Sequence, residues 1–489
     1  MDASANALEA QAFGGTSVVR LWDGLEKWIS AVLLSLALLL SLYSVGARYL
    51  FGWSLDWSDE ISIYAVIWAV FFGISSLIKS DEHVRVDVLL SRLSPRRQNI
   101  LHLYSAVLGL VFVGVLTWGG YLLVKKACIS GVCSESALRF PMYLPFLIMP
   151  LGGLLLVFRM VERLGTVWTS LKGEEAWRDP LVYGLLGLTV LLALMLQAGT
   201  SVTLCLLVLL LVFLLLGMPI AFALGFASLA CLLFFQMIKL DGIAPKMFWS
   251  VNKFSLIAIP YFIVGGTLMM KGGLARPLLE LGYAFLKRLN GGLAIAVMFA
   301  AVIFSAISGV SAALAATLGL IAIPWMMENG YPKRFCMGLI GAGGTLDILI
   351  PPSSILILYG AVSGESISDL YIAGFLPGFV LAGAVCVLIW AMCRFKGYGA
   401  PKPDDRFSWK EVGVKAKASF WAILMPFIIM GGIYSGIFTV TEASVVSVFY
   451  AVVVCFAIYR NIGFKELAGI INDSDVLTSM IYLLIMAAT

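Results

Sequence analysis

Charge is what this sequence has least of: Asp, Glu, Lys and Arg make up 12% of its 489 residues. An ordinary soluble domain carries roughly a quarter. With 61% hydrophobic residues and a mean hydropathy of +0.99, the composition excludes a soluble globular fold. Histidine is nearly missing, and His83 and His102 stand too far from other ligand-type residues to suggest a metal site. The net charge of +5 is small, and no basic stripe interleaved with aromatics occurs, so no nucleic-acid partner is expected. Of the eight cysteines, six lie in apolar segments and read as small buried hydrophobes. Cys128 and Cys133 share a loop, where a disulfide is open if that loop faces an oxidising compartment. Met1 to Arg20 lacks a basic region followed by an apolar core and a cleavage site, so no signal peptide is read and the first span is its own insertion signal.

What is present is apolar length. Runs approaching or exceeding 18 residues recur along the chain, each long enough to cross a hydrocarbon core as a helix, giving roughly thirteen membrane segments with re-entrant ones included. The expected fold is therefore an all-α polytopic protein whose solvent is the lipid bilayer. Spans are expected at Trp28 to Leu50, Ile61 to Ile78, Ile100 to Val124 and Met142 to Phe158. Phe51 to Glu60 holds neither Lys nor Arg and reads as external. Lys79 to Arg97 holds five basic residues and reads as cytoplasmic, which also puts the N-terminus in the cytoplasm. Arg159 to Arg178, with Gly173, reads as a polar connector and domain boundary, followed by a further span at Leu181 to Leu196.

Beyond the connector, Gly217-Met-Pro219 splits Cys205 to Phe235 into two helices, because proline clashes with the preceding turn. Gly291 to Met327 is scarcely long enough for two crossings and a turn, and basic residues flank both ends. It reads as a re-entrant hairpin with its tip near Ser305 to Ser311. Phe335 to Val362 is interrupted at Asp347 to Pro352. Backbone broken at membrane depth is tolerable only when buried in protein or lining a polar cavity, so these two breaks form the candidate transport site.

A small hard cation such as Na⁺ needs several oxygens, which hydroxyls and carbonyls at helix C-termini supply. Ser305 and Ser308 are three residues apart and share one face of a helix. Gly309 lets the backbone turn away. Pro351 and Pro352 donate no hydrogen bonds, which frees carbonyls around Asp347 to Ile350. Asp347 adds a full negative charge, and an intramembrane carboxylate is a functional candidate by default. Glu442, within Thr439-Val-Thr-Glu-Ala443, reads as a helix-start residue.

These residues resemble the membrane subunits of tripartite ATP-independent periplasmic (TRAP) transporters, in the form that fuses the small and large subunits (QM type). Arg48, Trp57-Ser-Asp-Glu60, Trp68, Gly73 and His83-Val-Arg-Val-Asp87 follow the order of the small subunit. Leu216-Gly-Met-Pro-Ile-Ala-Phe-Ala-Leu224, Ile259-Pro-Tyr-Phe262, Ser305 with Ser308-Gly309, Gly344-Thr-Leu-Asp-Ile-Leu-Ile-Pro-Pro-Ser353 and Thr441-Glu-Ala443 resemble the large one. The resemblance implies a four-helix small-subunit scaffold over 1–161, a connector and linking helix over 162–200, and an elevator-type transport body over 201–489. It further implies a Na⁺-coupled symporter of small organic anions in the bacterial inner membrane, without a cofactor, fed by a periplasmic substrate-binding protein. Ser305, Ser308, Asp347, Ile350 and Pro352 are the expected cation ligands, with Gly309, Ser311, Thr345 and Ser353 lining the substrate cavity.

Two departures from the family pattern stand out. Asp347 occupies a position where glycine is usual, which opens tighter cation binding or coupling to H⁺ instead of Na⁺. The second hairpin, with its Thr-Pro-Pro motif, belongs after Ile471 and does not occur, so a shortened second repeat is expected. A stand-alone ion-coupled carboxylate carrier is the rival reading, and it leaves the four-span N-terminal body without a purpose. A channel lacks its ring of acids or filter repeat. An intramembrane enzyme lacks a nucleophile with its base, so no enzymatic activity is expected.

Overall fold

In lipid every backbone amide and carbonyl needs a partner inside the chain, which leaves helices as the solution for apolar runs of this length. The computed structural model accordingly contains, among its described residues, no strand beyond an isolated bridge between Cys133 and Pro141. It describes residues 17–80, 83–136, 138–171, 179–197, 201–400 and 407–489, with the side chains of residues 17–20 and of Ser308 outside that description. Gly173 and residues 1–16 lie outside it as well. Twelve of the described helices are long and apolar enough to cross a membrane, and three shorter apolar helices accompany them. The chain is an all-α polytopic membrane protein.

The chain divides into two compact units. The first comprises residues up to Ser35, Tyr64–Asn252 and Asp475–Thr489. It contains the N-terminal part of α1 (Ser17–Phe51), most of α2 (Asp56–Ser80), α3 (Pro95–Ser130), α4 (Ile148–Leu171), α5 (Pro180–Gln197), α6 (Val202–Leu215), α7 (Ile220–Phe234) and α8 (Leu240–Val251). α3 and α4 pack on each other closely because Gly120 presents bare backbone; a Cβ there would stand 2.8 Å from that of Met149. Gly217, at φ +77°, and Pro219 separate α6 from α7 as the sequence implies. Cys128 and Cys133 are exposed free thiols.

The helix of the fourth span continues past the expected span end at Phe158. α4 runs on to Leu171, through residues read as the start of a polar connector. The reason is Arg159, which is 2% exposed and held by acids on two helices. Its Nη2 donates to Asp23 and to Glu26 at 2.7 Å each, and its Nη1 to Glu162 at 2.8 Å. Its Nε donates to Ser75 at 3.2 Å, and Ser75 in turn donates to Glu26. A charge neutralised in this way need not leave the helix.

The second unit comprises Leu36–Ile63 and Lys253–Ser474. Its helices are α9 (Ala258–Lys271), α10 (Ala275–Leu286), α11 (Gly292–Ser308), α12 (Ser311–Glu328), α13 (Lys333–Leu349), α14 (Ser354–Ser363), α15 (Ile367–Lys396), α16 (Trp409–Tyr434) and α17 (Val440–Val453), together with the first part of α18 (Phe464–Ala488). α9 is buried from Ala258 to Met270, and Tyr261 meets the hydroxyl of Ser41 at 3.0 Å. α17 starts with a capping box: the Thr439 side chain accepts from the Glu442 amide, and the Glu442 carboxylate accepts from the Thr439 amide. Glu442 also accepts from Arg48 Nη1 at 2.6 Å.

Candidate functional site

The site is built from two interruptions in apolar helices of the second unit. α11 ends at Ser308, Gly309 takes the left-handed conformation at φ +61°, Val310 is extended, and α12 begins at Ser311. Glycine adopts that φ without the steric cost that a Cβ brings. The second interruption follows α13. Ile350 turns extended while its amide still donates to the Leu346 carbonyl at 2.8 Å. Pro351 and Pro352 then donate nothing, and α14 restarts at Ser354.

The two interruptions meet. Ser354 Oγ donates to the Gly309 carbonyl at 2.5 Å. A Cβ on Gly309 would come within 3.0 Å of the Pro352 carbonyl oxygen, so the absence of a side chain lets that oxygen approach. The carbonyl-rich C-terminal ends of α11 and α13 and the amide-rich N-terminal ends of α12 and α14 thus belong to one place. The former favours positive charge and the latter negative charge.

The polar side chains here are buried, and several are unsatisfied. Ser305 is fully buried and its hydroxyl has no hydrogen-bond partner; Ser353, at 1% exposure, is in the same condition. Leaving a buried polar group unmatched costs about 1–3 kcal/mol, so two in neighbouring breaks call for an explanation. Asp347 is 2% exposed, and its Oδ2 faces the Ser311 hydroxyl at 3.5 Å, the outer limit of a hydrogen bond.

Of the residues singled out from sequence, Ser305 lies in the last turn of α11 and Ser353 at the start of α14. Gly309, Ser311, Asp347, Ile350 and Pro352 occupy or flank the breaks. The Ser308 side chain lies outside the described residues. Thr345 is exposed, and its hydroxyl donates to the Ala342 carbonyl of its own helix, away from this cluster of partners. Sequence reasoning passed over Ser354, whose hydroxyl ties the breaks together. The available signal was a second serine directly after Pro-Pro-Ser, at the first position of a helix that must start there.

Comparison with known proteins agrees with this architecture. Residues 207–489 match the family model described as the DctM component of the tripartite ATP-independent periplasmic transporter, and residues 26–170 match its DctQ component. The isethionate TRAP transporter permease DctMQ of Oleidesulfovibrio alaskensis is 30% identical over 88% of this chain and 67% of its own length. The C4-dicarboxylate large permease DctM of Pseudomonas aeruginosa is 38% identical over 54% of this chain, which covers 62% of that protein. The sialic acid permease SiaT of Haemophilus influenzae is 26% identical over 95% of this chain and 76% of its own length. With one component matched before residue 170 and the other after residue 207, the chain belongs to the tripartite ATP-independent periplasmic transporter family and carries both permease components in a single polypeptide.

Proposed function

We propose that the protein imports small organic anions across the bacterial inner membrane, driven by a Na⁺ gradient and supplied by a periplasmic substrate-binding protein. Isethionate, sialic acid and C4-dicarboxylates are the substrates named for its relatives, and an organic acid of that size range is the reading they support. Residues 1–161 serve as the scaffold, 162–200 as the connector and 201–489 as the transport body, with the N-terminus in the cytoplasm.

The observation that carries the ion assignment is the buried, unpartnered Ser305 hydroxyl at a break tied to the second one through the Gly309 carbonyl. A Na⁺ ion supplies what that oxygen lacks. Ser305 and Ser308 offer hydroxyls, Ile350 and Pro352 offer carbonyls, and Asp347 offers charge. Ser353, Ser311 and Gly309, beside the starts of α12 and α14, suit the carboxylate or sulfonate of the cargo, since helix N-termini attract anions. Thr345 is the outlying member of that set. Coupling to H⁺ is the second reading, favoured by the burial of Asp347 in a span.

The test is uptake into proteoliposomes by the permease, with and without a candidate periplasmic substrate-binding protein, under imposed Na⁺ or pH gradients. Na⁺-driven uptake that requires the binding protein supports the proposal. Uptake that follows pH and ignores Na⁺ replaces Na⁺ with H⁺ at Asp347. Uptake without any binding protein identifies a stand-alone carrier.

A further inference from the structure

A further buried carboxylate lies in the other unit, on α18, and belongs to none of the groups discussed so far. Asp475 stands near the middle of a candidate membrane span and is 1% exposed. Its Oδ2 accepts from the Ser30 hydroxyl of α1, and its Oδ1 has no hydrogen-bond partner. Opposite it, α2 presents Gly73 as bare backbone: a Cβ there would collide with both Asp475 Oδ2 and Ser479 Oγ. The Ser479 hydroxyl is itself engaged, donating to the Val70 carbonyl of α2 at 3.0 Å. The carboxylate therefore has one donated hydroxyl, and beside it stand helix backbone and the already engaged Ser479 hydroxyl.

The cations on the helices packed here are committed to other acids. On α1, Glu26 precedes Ser30 by one turn and Asp23 precedes Glu26; on α2 stands Lys79; on α4 stand Arg159 and Glu162; on α18 itself Asp473 is 61% exposed and paired with Lys271. Arg159 is committed to Asp23, Glu26 and Glu162, and Lys79 to Asp23. Arg159 and Lys79 are thus both taken up by acids other than Asp475. Glu26 Oε1, also buried, has no partner either. An isolated carboxylate in an apolar interior costs far more as an anion than as a neutral acid.

From this enclosure we infer that Asp475 is a proton-binding site that holds H⁺ in the folded protein at neutral pH, separate from the broken-helix site. The proton removes the negative charge that no cation offsets and gives Oδ1 a hydrogen to donate. Ser30 positions the group by binding the other oxygen. The inference rests on the first unit alone and stands whether or not the transport site couples to Na⁺.

The test is difference infrared spectroscopy on the purified full chain, reading the C=O stretch of protonated carboxylic acids. A band is expected at neutral pH that Asp475→Asn removes, Asp347→Asn leaves in place, and Ser30→Ala shifts in frequency by deleting the hydrogen bond to Oδ2. Added Na⁺ leaves it unchanged. If Asp475→Asn fails to fold, the Ser30→Ala shift and the Asp347→Asn control still assign the band. A spectrum without that band at neutral pH, or a band abolished by Na⁺, overturns the inference; the latter result makes the enclosure a metal-ion site.

Discussion

The Arg159 cluster and the broken-helix site both bury polar groups, and they do so in opposite ways. Around Arg159 the helices are continuous and the charges are paired, with three carboxylates and a serine converging on one guanidinium. At Gly309 and Pro352 the helices are interrupted, and two hydroxyls have no partner. A guanidinium bonded through all three of its nitrogens has little left to offer a ligand, although Glu26 Oε1 beside it has no partner. Open oxygens beside broken backbone are what an ion can exploit. Degree of satisfaction, more than burial or charge, separates the structural cluster from the candidate site.

That contrast breaks most severely at Arg159. Replacing it with methionine leaves Glu26 buried with its charge uncompensated, and breaking a buried pair in this way costs about 3–5 kcal/mol. Arg159→Met is expected to lower the thermal unfolding midpoint more than any substitution at the broken helices. Adding Glu26→Gln should recover part of the loss. An Arg159→Met protein as stable as the original would show that the cluster is not structural.

Next in size is Gly309→Ala. The side chain would be forced into the left-handed region, at about 1–2 kcal/mol, and against the Pro352 carbonyl oxygen as well. Because that oxygen belongs to the proposed cation cradle, the variant should lose Na⁺ affinity along with stability. Isothermal titration with Na⁺ on the purified variant checks both the affinity and its separation from folding. Unaltered Na⁺ binding would remove Pro352 from the ligand set. Ser354→Ala deletes one hydrogen bond between the breaks and should cost about 1 kcal/mol of stability, read as a smaller drop in midpoint.

Much of the fold was legible in the sequence because membrane insertion writes itself as length. The spans before the connector, the Gly217-Met-Pro219 split and both interruptions at Gly309 and Pro351-Pro352 follow from apolar runs and their breakers. The continuation of α4 was not legible. A residue-by-residue reading sees Arg159 as an exit from the membrane, whereas its place is decided by Asp23 and Glu26 on a helix more than a hundred residues away. Their spacing with Ser30, at i, i+3 and i+7, is one polar stripe along an apolar helix, and that stripe was the available signal. At the site, residue types were readable and mutual contacts were not. Asp347 could be named as buried charge, but the tie from Ser354 to the Gly309 carbonyl depends on how two breaks dock, which no local pattern records.

The smallest expected change in stability is also the most discriminating. Ser305 Oγ is buried without a partner, so in a K⁺ buffer Ser305→Ala should leave the thermal midpoint unchanged or slightly raised, since it removes an unsatisfied group rather than a contact. In Na⁺ the original protein gains stability by mass action, about 2.7 kcal/mol when the ion stands at a hundred times its dissociation constant. The variant should gain much less, because a ligand oxygen is missing. The difference between the two proteins therefore emerges only when Na⁺ is present. A serine that merely let helices approach would behave differently: its replacement would shift the midpoint equally in both salts, and that equality would place Ser305 with the packed residues around Arg159 rather than with the ion.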